Sequence, residues 1–166
     1  MQEVVISNVK KAQYKDYNLN KIYDPEMQHE RSYEFQNSCV AQPSLTGEGK
    51  LAVLFYTLQP GKSNYPFHYH TGQEEVFYII SGTATLKTSK GEVIVSEGDI
   101  IIMPANENGA HMLTNHSDLP LVYIDIHTKS RPDVVIYPDS GNVRVMTANM
   151  QKSFKMESEV NYLDGE

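Results

Sequence analysis

Short apolar segments separated by turn-forming residues dominate the chain from residue 51 onward. The segments are rich in Val, Ile, Leu, Tyr or Phe, and Gly, Ser, Asp or Pro residues lie between them, which favours strands joined by tight turns. This spacing is typical of an antiparallel sandwich or barrel, and the lack of long helical patterns disfavours parallel βαβ units. The segments are LAVLFYTL (51–58), NYPFHYH (64–70), EEVFYII (74–80), TATLKT (83–88), EVIVS (92–96), DIIIMP (99–104), HMLTN (111–115) and PLVYIDIHT (120–128).

The regions on either side of this series are less regular. Before the series, two short segments have a strand-like pattern within a polar region, Glu3–Ser7 and Tyr33–Phe35. After it, the segments VVIYP and VRVMT predict a last hairpin, which is followed by a polar, acidic tail. With 166 residues, one core is the expected number. We therefore predict one all-β structural domain made of an N-terminal arm (1–50), a barrel core (51–128) and a C-terminal hairpin with its tail (129–166).

Charge limits the possible partners of the chain, and cysteine content indicates its cellular compartment. The chain has 14 Lys and Arg against 21 Asp and Glu, a net charge of −7. An acidic surface repels nucleic acid and anionic membranes, so we expect neither as a partner. Cys39 is the only cysteine, which excludes an intramolecular disulfide. Together with an N-terminus unlike a signal peptide, this favours the cytoplasm.

Histidine and glutamate cluster in the segment PFHYHTGQEEVFYIISG. His68 and His70 are two residues apart, so on a strand they point to the same face, with Cα atoms about 6.6 Å apart. After a turn, the returning strand brings Glu74 or Glu75 opposite them, and strand periodicity alone does not decide between the two. His111 begins a later strand and adds a third imidazole. Three imidazoles and a carboxylate suit one divalent transition-metal ion, namely Fe, Mn, Ni, Co, Cu or Zn, better than Mg or Ca.

Both motif segments resemble the paired motifs of the cupin superfamily. In the first, Gly61 precedes the two histidines and Gly82 follows Glu75 by seven residues; in the second, the matching positions in order are Gly98, Pro104, His111 and Asn115. The turn between Pro104 and His111 is about two residues longer than the usual form. The resemblance covers about residues 51–128 and implies a double-stranded β-helix (jelly-roll) barrel with a metal inside. It also selects Glu75 over Glu74, so the implied ligands are His68, His70, Glu75 and His111.

The remaining histidines are not assigned a functional role. His29, His116 and His127 are expected to be surface or turn residues. Asp125 lies on a strand where Tyr123, Asp125 and His127 alternate with apolar residues. If that polar set pointed inward, Asp125 would be a candidate proton-transfer group beside the metal.

Three functional hypotheses follow from a metal-holding barrel. The first is a metalloenzyme acting on a small organic molecule. An O2-dependent oxygenase is one form of it, because four protein ligands on a six-coordinate ion leave two open positions. The second is a sugar or sugar-phosphate isomerase or epimerase, as some cupins are. The third is a non-catalytic module that binds a small ligand or the metal itself. Since open barrel edges invite strand addition, we also expect a homodimer in which part of the arm crosses to its partner.

Overall fold

A computed structural model describes residues 8–26, 30–41 and 49–165, and these residues are predominantly β-strand. Within them no helix is long and apolar enough to cross a membrane. One short helix, Leu19–Tyr23, precedes the second strand. The strands are β1 (Lys15–Asn18), β2 (Glu34–Ala41), β3 (Leu51–Leu58), β4 (Tyr69–His70), β5 (Glu75–Ser81), β6 (Thr83–Thr88), β7 (Gly91–Ser96), β8 (Ile100–Met103), β9 (His111–Thr114), β10 (Leu121–Thr128), β11 (Asp133–Tyr137), β12 (Asn142–Met146) and β13 (Gln151–Lys155).

The largest sheet has six strands in the order β1-β2-β3-β10-β5-β8. Its neighbouring strands all pair antiparallel. Strand β10 lies between β3 and β5, so Asp125 is opposite Leu54 on one side and Phe77 on the other. This register places Glu75 directly beside His127 on one face of the sheet.

Two smaller sheets complete the barrel, and among the described residues a backbone bridge between His68 and His111 connects their segments. One has the order β13-β12-β11-β4 and the other β7-β6-β9. His68, immediately before β4, exchanges both backbone hydrogen bonds with His111, the first residue of β9, at N···O distances of 3.2 and 2.9 Å. The described chain therefore forms the double-stranded β-helix expected of the cupin motifs.

Aromatic and aliphatic side chains fill the interior away from the histidines. The Tyr56 and Tyr123 rings stack with centroids 5.0 Å apart and planes 8° from parallel. Phe77 packs against Tyr123 at 5.0 Å and meets the His111 ring edge-on at 5.3 Å. Because Phe77 touches both groups, the core is continuous with the wall of the histidine site.

Several segments differ in detail from the sequence expectations. The strand expected at Tyr33–Phe35 is the start of the longer β2, while the one expected at Glu3–Ser7 lies outside the described residues. The expected last hairpin is present as β11 and β12, and β13 continues it into the polar tail. Most of the 64–70 segment is not strand, because between Ser63 and β4 it forms an isolated bridge at His68 rather than a continuous ladder. The division into arm, core and tail stays a prediction.

Asn115, the last residue of the second motif, is fully buried and connects three segments. Its Nδ2 donates to the carbonyl oxygens of Leu58 and Leu119, both at 2.8 Å, and its Oδ1 accepts from the Ser117 amide at 2.9 Å. The side chain thus ties the end of β3 to the loop that leads into β10.

Replacing Asn115 by alanine should lower the free energy of unfolding by about 2–3 kcal/mol, because buried backbone groups lose their partners. Urea unfolding followed by circular dichroism would measure the change. The matched control is Asn149→Ala at an exposed position, which should stay within about 0.5 kcal/mol of the parent. Equal losses in the two variants would contradict this role for Asn115.

Candidate functional site

The residues singled out from the two motifs converge inside the barrel. His68 and His111 are the hydrogen-bonded pair between the smaller sheets, and His70 ends β4. Glu75 begins β5 on the opposite, six-stranded sheet and is 8% exposed, whereas its neighbour Glu74 is exposed. Of the two glutamates, only Glu75 therefore points toward the imidazoles.

The Glu75 carboxylate is the common neighbour of the rings. Its Oε2 lies 3.3 Å from His111 Nε2 and 3.8 Å from His70 Nε2. Donor atoms of His68, His70 and Glu75 all lie within 4.8 Å of one another, and the His68 and His111 ring centroids are 4.7 Å apart. The four side chains thus form one compact group.

All three imidazoles use Nδ1 for a hydrogen bond that points away from this group. His68 Nδ1 is 2.8 Å from the Pro66 carbonyl oxygen, and His111 Nδ1 is 2.9 Å from that of Gly109. A carbonyl oxygen accepts but does not donate, so in both rings Nδ1 carries the proton. In the neutral form of either ring this leaves the Nε2 lone pair free, which is the arrangement that metal-binding histidines normally have.

His70 receives the same support from a carboxylate that the sequence analysis missed. Asp133, whose side chain is fully buried, accepts from His70 Nδ1 at 2.6 Å and from the Gly72 amide at 2.9 Å. Burial alone would lower the pKa of His70, but the hydrogen bond to Asp133 and the charges of Glu75 and Asp133 outweigh it and raise that pKa. No local pattern signals this partner, because β11 brings it to His70 from 63 residues along the chain.

The net shift of the pKa at His68 is in the opposite direction. Loss of solvent lowers the pKa of the His68 ring well below its usual value, and the nearby His111 and His70 rings lower it further. Both effects favour the neutral form of the His68 ring. A neutral imidazole is the form that binds a metal ion.

Glu75 Oε2 is buried and has no hydrogen-bond partner among the described residues. A buried carboxylate without partners is unfavourable, and a cation held between it and the three Nε2 atoms would satisfy it. Imidazole nitrogens with one carboxylate oxygen match the ligand preferences of divalent transition metals. The residues present thus fit such an ion.

A second polar pair lies beside Glu75 on the same sheet. Asp125 is 4% exposed, and His127 Nδ1 donates to its Oδ1 at 3.1 Å. Donor atoms of Glu75, Asp125 and His127 all lie within 4.8 Å of one another. The polar set on β10 therefore does point inward. The interpretation of His127 as a surface or turn residue was wrong, because its register opposite Glu75 turns it to the interior face.

The long turn before His111 depends on glycine at one position. The turn contains a 3-10 segment, Glu107–Gly109, and Cβ on Gly109 would lie 2.0 Å from the Pro104 carbonyl oxygen. Only glycine permits this approach. The same residue supplies the carbonyl that orients His111. Of the other histidines, His116 is exposed as expected and His29 lies outside the described residues.

We expect the His70 and His68 rings to titrate on opposite sides of the usual histidine pKa of 6.5 in metal-free protein. Nitrogen-detected NMR of the chelator-treated protein should show His70 becoming charged above that pH and His68 staying neutral well below it. Asp133→Asn should lower the His70 pKa, because the anionic acceptor is lost. The exposed-carboxylate control Asp139→Asn should leave it unchanged. An unaltered His70 pKa in Asp133→Asn would contradict the assigned contact.

Comparisons with known proteins agree with this architecture. Solved structures with the same fold include a sugar phosphate isomerase of the cupin superfamily from Silicibacter pomeroyi (TM-score 0.74, 19% identity, covering 96% of this chain and 98% of that chain). They also include a predicted oxalate decarboxylase of Thermotoga maritima (TM-score 0.62, 15% identity, 76% and 100%). A third is a polyketide cyclase of Streptomyces resistomycificus (TM-score 0.56, 16% identity, 80% and 82%).

These identities are low, so the three structures are evidence for the fold alone. A comparison with curated protein sequences gives no match. The family model described as "Cupin domain" matches residues 54–127, a span that contains the three clustered histidines, Glu75, Asp125 and His127. Together with the double-stranded β-helix and both motifs, this match assigns residues 54–127 to a cupin domain.

Proposed function

We propose that this protein is a metal-dependent enzyme that acts on a small organic molecule. In this proposal His68, His70, Glu75 and His111 hold one divalent transition-metal ion, which is Fe, Mn, Ni, Co, Cu or Zn. The observation that carries the proposal is the common orientation of the three rings, each with Nδ1 engaged elsewhere and Nε2 left for the site. Glu75 Oε2, which has no hydrogen-bond partner among the described residues, supports it independently.

A metal bound there would act as a Lewis acid that polarises an oxygen of the bound molecule. The chain's own residues supply the other requirements. Asp133, Pro66 and Gly109 hold the rings in orientation through their oxygen atoms. Phe77 lies against His111 and limits access of water from the core side. This combination of oriented ligands and an apolar wall is typical of protein metal centres.

The Asp125–His127 pair favours proton transfer over the other reaction types. Isomerases and epimerases move a proton on carbon next to a polarised carbonyl, and they need an acid–base group beside the metal. Asp125 and His127 are such groups, buried or half-buried and adjacent to the Glu75 carboxylate. A sugar or sugar-phosphate isomerase or epimerase is therefore the second, more specific candidate. The O2-dependent oxygenase and the non-catalytic binding module are the alternatives that experiment must separate.

The proposed partners other than the metal are a small-molecule ligand and a second copy of the chain, in the cytoplasm. The homodimer expected from the sequence would exchange part of the arm. In the single chain, β2 pairs with its own β3 through the register Gln36–Thr57 to Cys39–Leu54. A crossing arm would make the same hydrogen bonds with the partner's β3.

The metal assignment predicts that His70→Ala and Glu75→Gln will each weaken metal binding by at least about 100-fold, since each removes a direct ligand and loss of a supporting group alone costs 10–100-fold. Elemental analysis of untagged protein after reloading would measure occupancy. Glu74→Gln is the matched control, because that carboxylate is exposed, and it should retain about one ion per chain. Loss of metal in the control with retention in Glu75→Gln would overturn the ligand set.

The proton-transfer assignment predicts incorporation of solvent deuterium next to the carbonyl of an accepted aldose or ketose. Metal-loaded protein in heavy water would be screened by proton NMR against free and phosphorylated sugars. Asp125→Asn and His127→Gln should slow incorporation about 100-fold or more, as expected for loss of an acid–base group, while the metal content stays unchanged.

The other outcomes of this screen identify the alternatives. Oxygen consumption with a compound panel, without deuterium incorporation, would indicate the oxygenase. Bound metal with neither activity would favour the binding module.

A further inference from the structure

An arginine lies on the same face of the four-stranded sheet as the histidine site. Val135 of β11 is the cross-strand neighbour of His70 on one side and of Arg144 on the other. Side chains in one cross-strand row leave the sheet on the same face. Because His70 faces the interior of the barrel, Arg144 leaves the sheet on that face too, two strands away and with its Cα about 9.6 Å from that of His70.

Tyr137 connects this arginine to the candidate metal site. It lies two residues after Val135 on the same face, and its ring stacks on the His68 ring with centroids 5.8 Å apart and planes at 27°. Burial raises the pKa of Tyr137, and the charge of Arg144 and a hydrogen bond from it partly offset that rise. The guanidinium therefore lies beside the Tyr137 hydroxyl, with one aromatic ring between it and His68.

The guanidinium of Arg144 has only neutral hydrogen-bond partners among the described residues. Nη2 donates to Gln151 Oε1 at 2.9 Å and Nη1 to the Tyr23 hydroxyl at 3.4 Å, while the guanidinium carbon lies 5.6 Å from the centre of the Tyr23 ring. Nε is buried and has no partner in the part of the chain that the structure describes. No carboxylate of the described residues forms an ion pair with this arginine.

These contacts do not satisfy the side chain. The chain has two other arginines, Arg31 and Arg131, and both are exposed, whereas Arg144 is half-buried. Stacking on Tyr23 alone would make Arg144 a structural residue that holds the short helix to β12, but it leaves Nε and the positive charge unmatched. A buried donor and a partly desolvated charge are both unfavourable without a partner. An anionic group would supply both, because the planar guanidinium fork matches phosphate and carboxylate oxygens.

We propose that Arg144 binds the phosphate group of a phosphorylated small molecule whose other end occupies the histidine site. The inference rests on the proposed function, because it names the substrate class of the same site. A phosphate ester has several acceptor oxygens, so it can accept from the guanidinium and from the adjacent Tyr137 hydroxyl together.

The charges around the two ends of the site favour this orientation of the ligand. The carboxylates of Glu75, Asp125 and Asp133 lie near the histidines, where they repel an anionic group. Arg144 lies beyond Tyr137, and no described carboxylate pairs with it. A sugar phosphate therefore fits with its uncharged hydroxyl and carbonyl oxygens at the histidines and its phosphate at Arg144.

The first test is a titration of metal-free, full-length protein with inorganic phosphate. Because the chain has only three arginines, nitrogen-15 NMR can resolve their Nε signals. Phosphate should shift the Arg144 signal saturably and leave the signal of the exposed Arg131 unchanged. This measurement needs no substitution, so it decides the proposal even if a variant misfolds. An Arg144 signal that does not respond to phosphate would overturn the proposal.

Variants separate anion binding from support of the fold. Arg144→Gln should weaken phosphate binding about 10- to 100-fold, since a charge-assisted pair is lost. Arg144→Lys should weaken it less, because the charge remains without the planar fork. The matched control is Lys152→Gln, which removes the same charge from an exposed position on the other face of the sheet, opposite Val145. Circular dichroism checks each fold. Equal losses in Arg144→Gln and Lys152→Gln would contradict a specific site, because binding would then follow net charge.

Mn(II)-loaded protein tests whether the bound phosphate belongs to a ligand of the histidine site. An aldose phosphate should bind at least about 10-fold more tightly than the same aldose without phosphate, and Arg144→Gln should abolish this preference. Paramagnetic relaxation of its phosphorus signal should show that the phosphate lies near the ion. Binding of inorganic phosphate without a preference for the ester would indicate a site for the free anion and overturn the substrate assignment.

Failure of the proposed function has a different signature. Elemental analysis that finds no metal after reloading would contradict the metal-dependent enzyme, while the phosphate titration of metal-free protein still decides the role of Arg144. Bound metal with an unresponsive Arg144 signal would leave the enzyme proposal standing and remove the phosphorylated substrate.

Discussion

The mutual backbone hydrogen bonds between His68 and His111 are the contact on which the candidate site depends. They connect the segment that leads into β4 of one small sheet to the first residue of β9 in the other. Residues that face each other in such a pair have Cα atoms about 5.5 Å apart, so their side chains start as neighbours. Two imidazoles that are distant in sequence thereby share one side of the barrel, and β5 brings Glu75 to them from the other side.

Orientation of the rings follows from what surrounds this pair. The residue two positions before each of His68 and His111 offers its carbonyl to Nδ1, so the local backbone alone selects the tautomer. His70 has no such carbonyl and relies on Asp133 instead. This difference has an electrostatic consequence, because burial and the adjacent rings keep His68 neutral, whereas two nearby carboxylates outweigh burial and raise the pKa of His70. The site therefore contains two rings whose orientation depends on backbone geometry and one whose orientation depends on a distant acid.

The sequence predicted the strand series, the barrel class and the group of residues that meet inside it. These properties are local, because the period of apolar residues, the turn glycines and the motif spacing can all be read within short windows. Periodicity could not choose between Glu74 and Glu75, since it does not show which face of the strand is interior. The motif spacing selects Glu75, and the buried position of Glu75 in the structure agrees with that selection. Asp133 and the inward position of His127 were missed because both depend on pairing between strands that are far apart in sequence.

The six-stranded sheet has polar side chains at several inward positions of an otherwise apolar interior, and apolar side chains at outward positions of the same strands. A site inside the barrel places acidic and imidazole side chains at inward positions of β5 and β10, which a purely structural sheet would give to apolar residues. Alternation along a strand leaves the outward positions of the runs EVFYII and LVYIDIHT to valine, isoleucine, tyrosine and one threonine, Thr128. The apolar area that stabilises these strands consequently lies partly outside the barrel, where a single chain leaves it exposed to water.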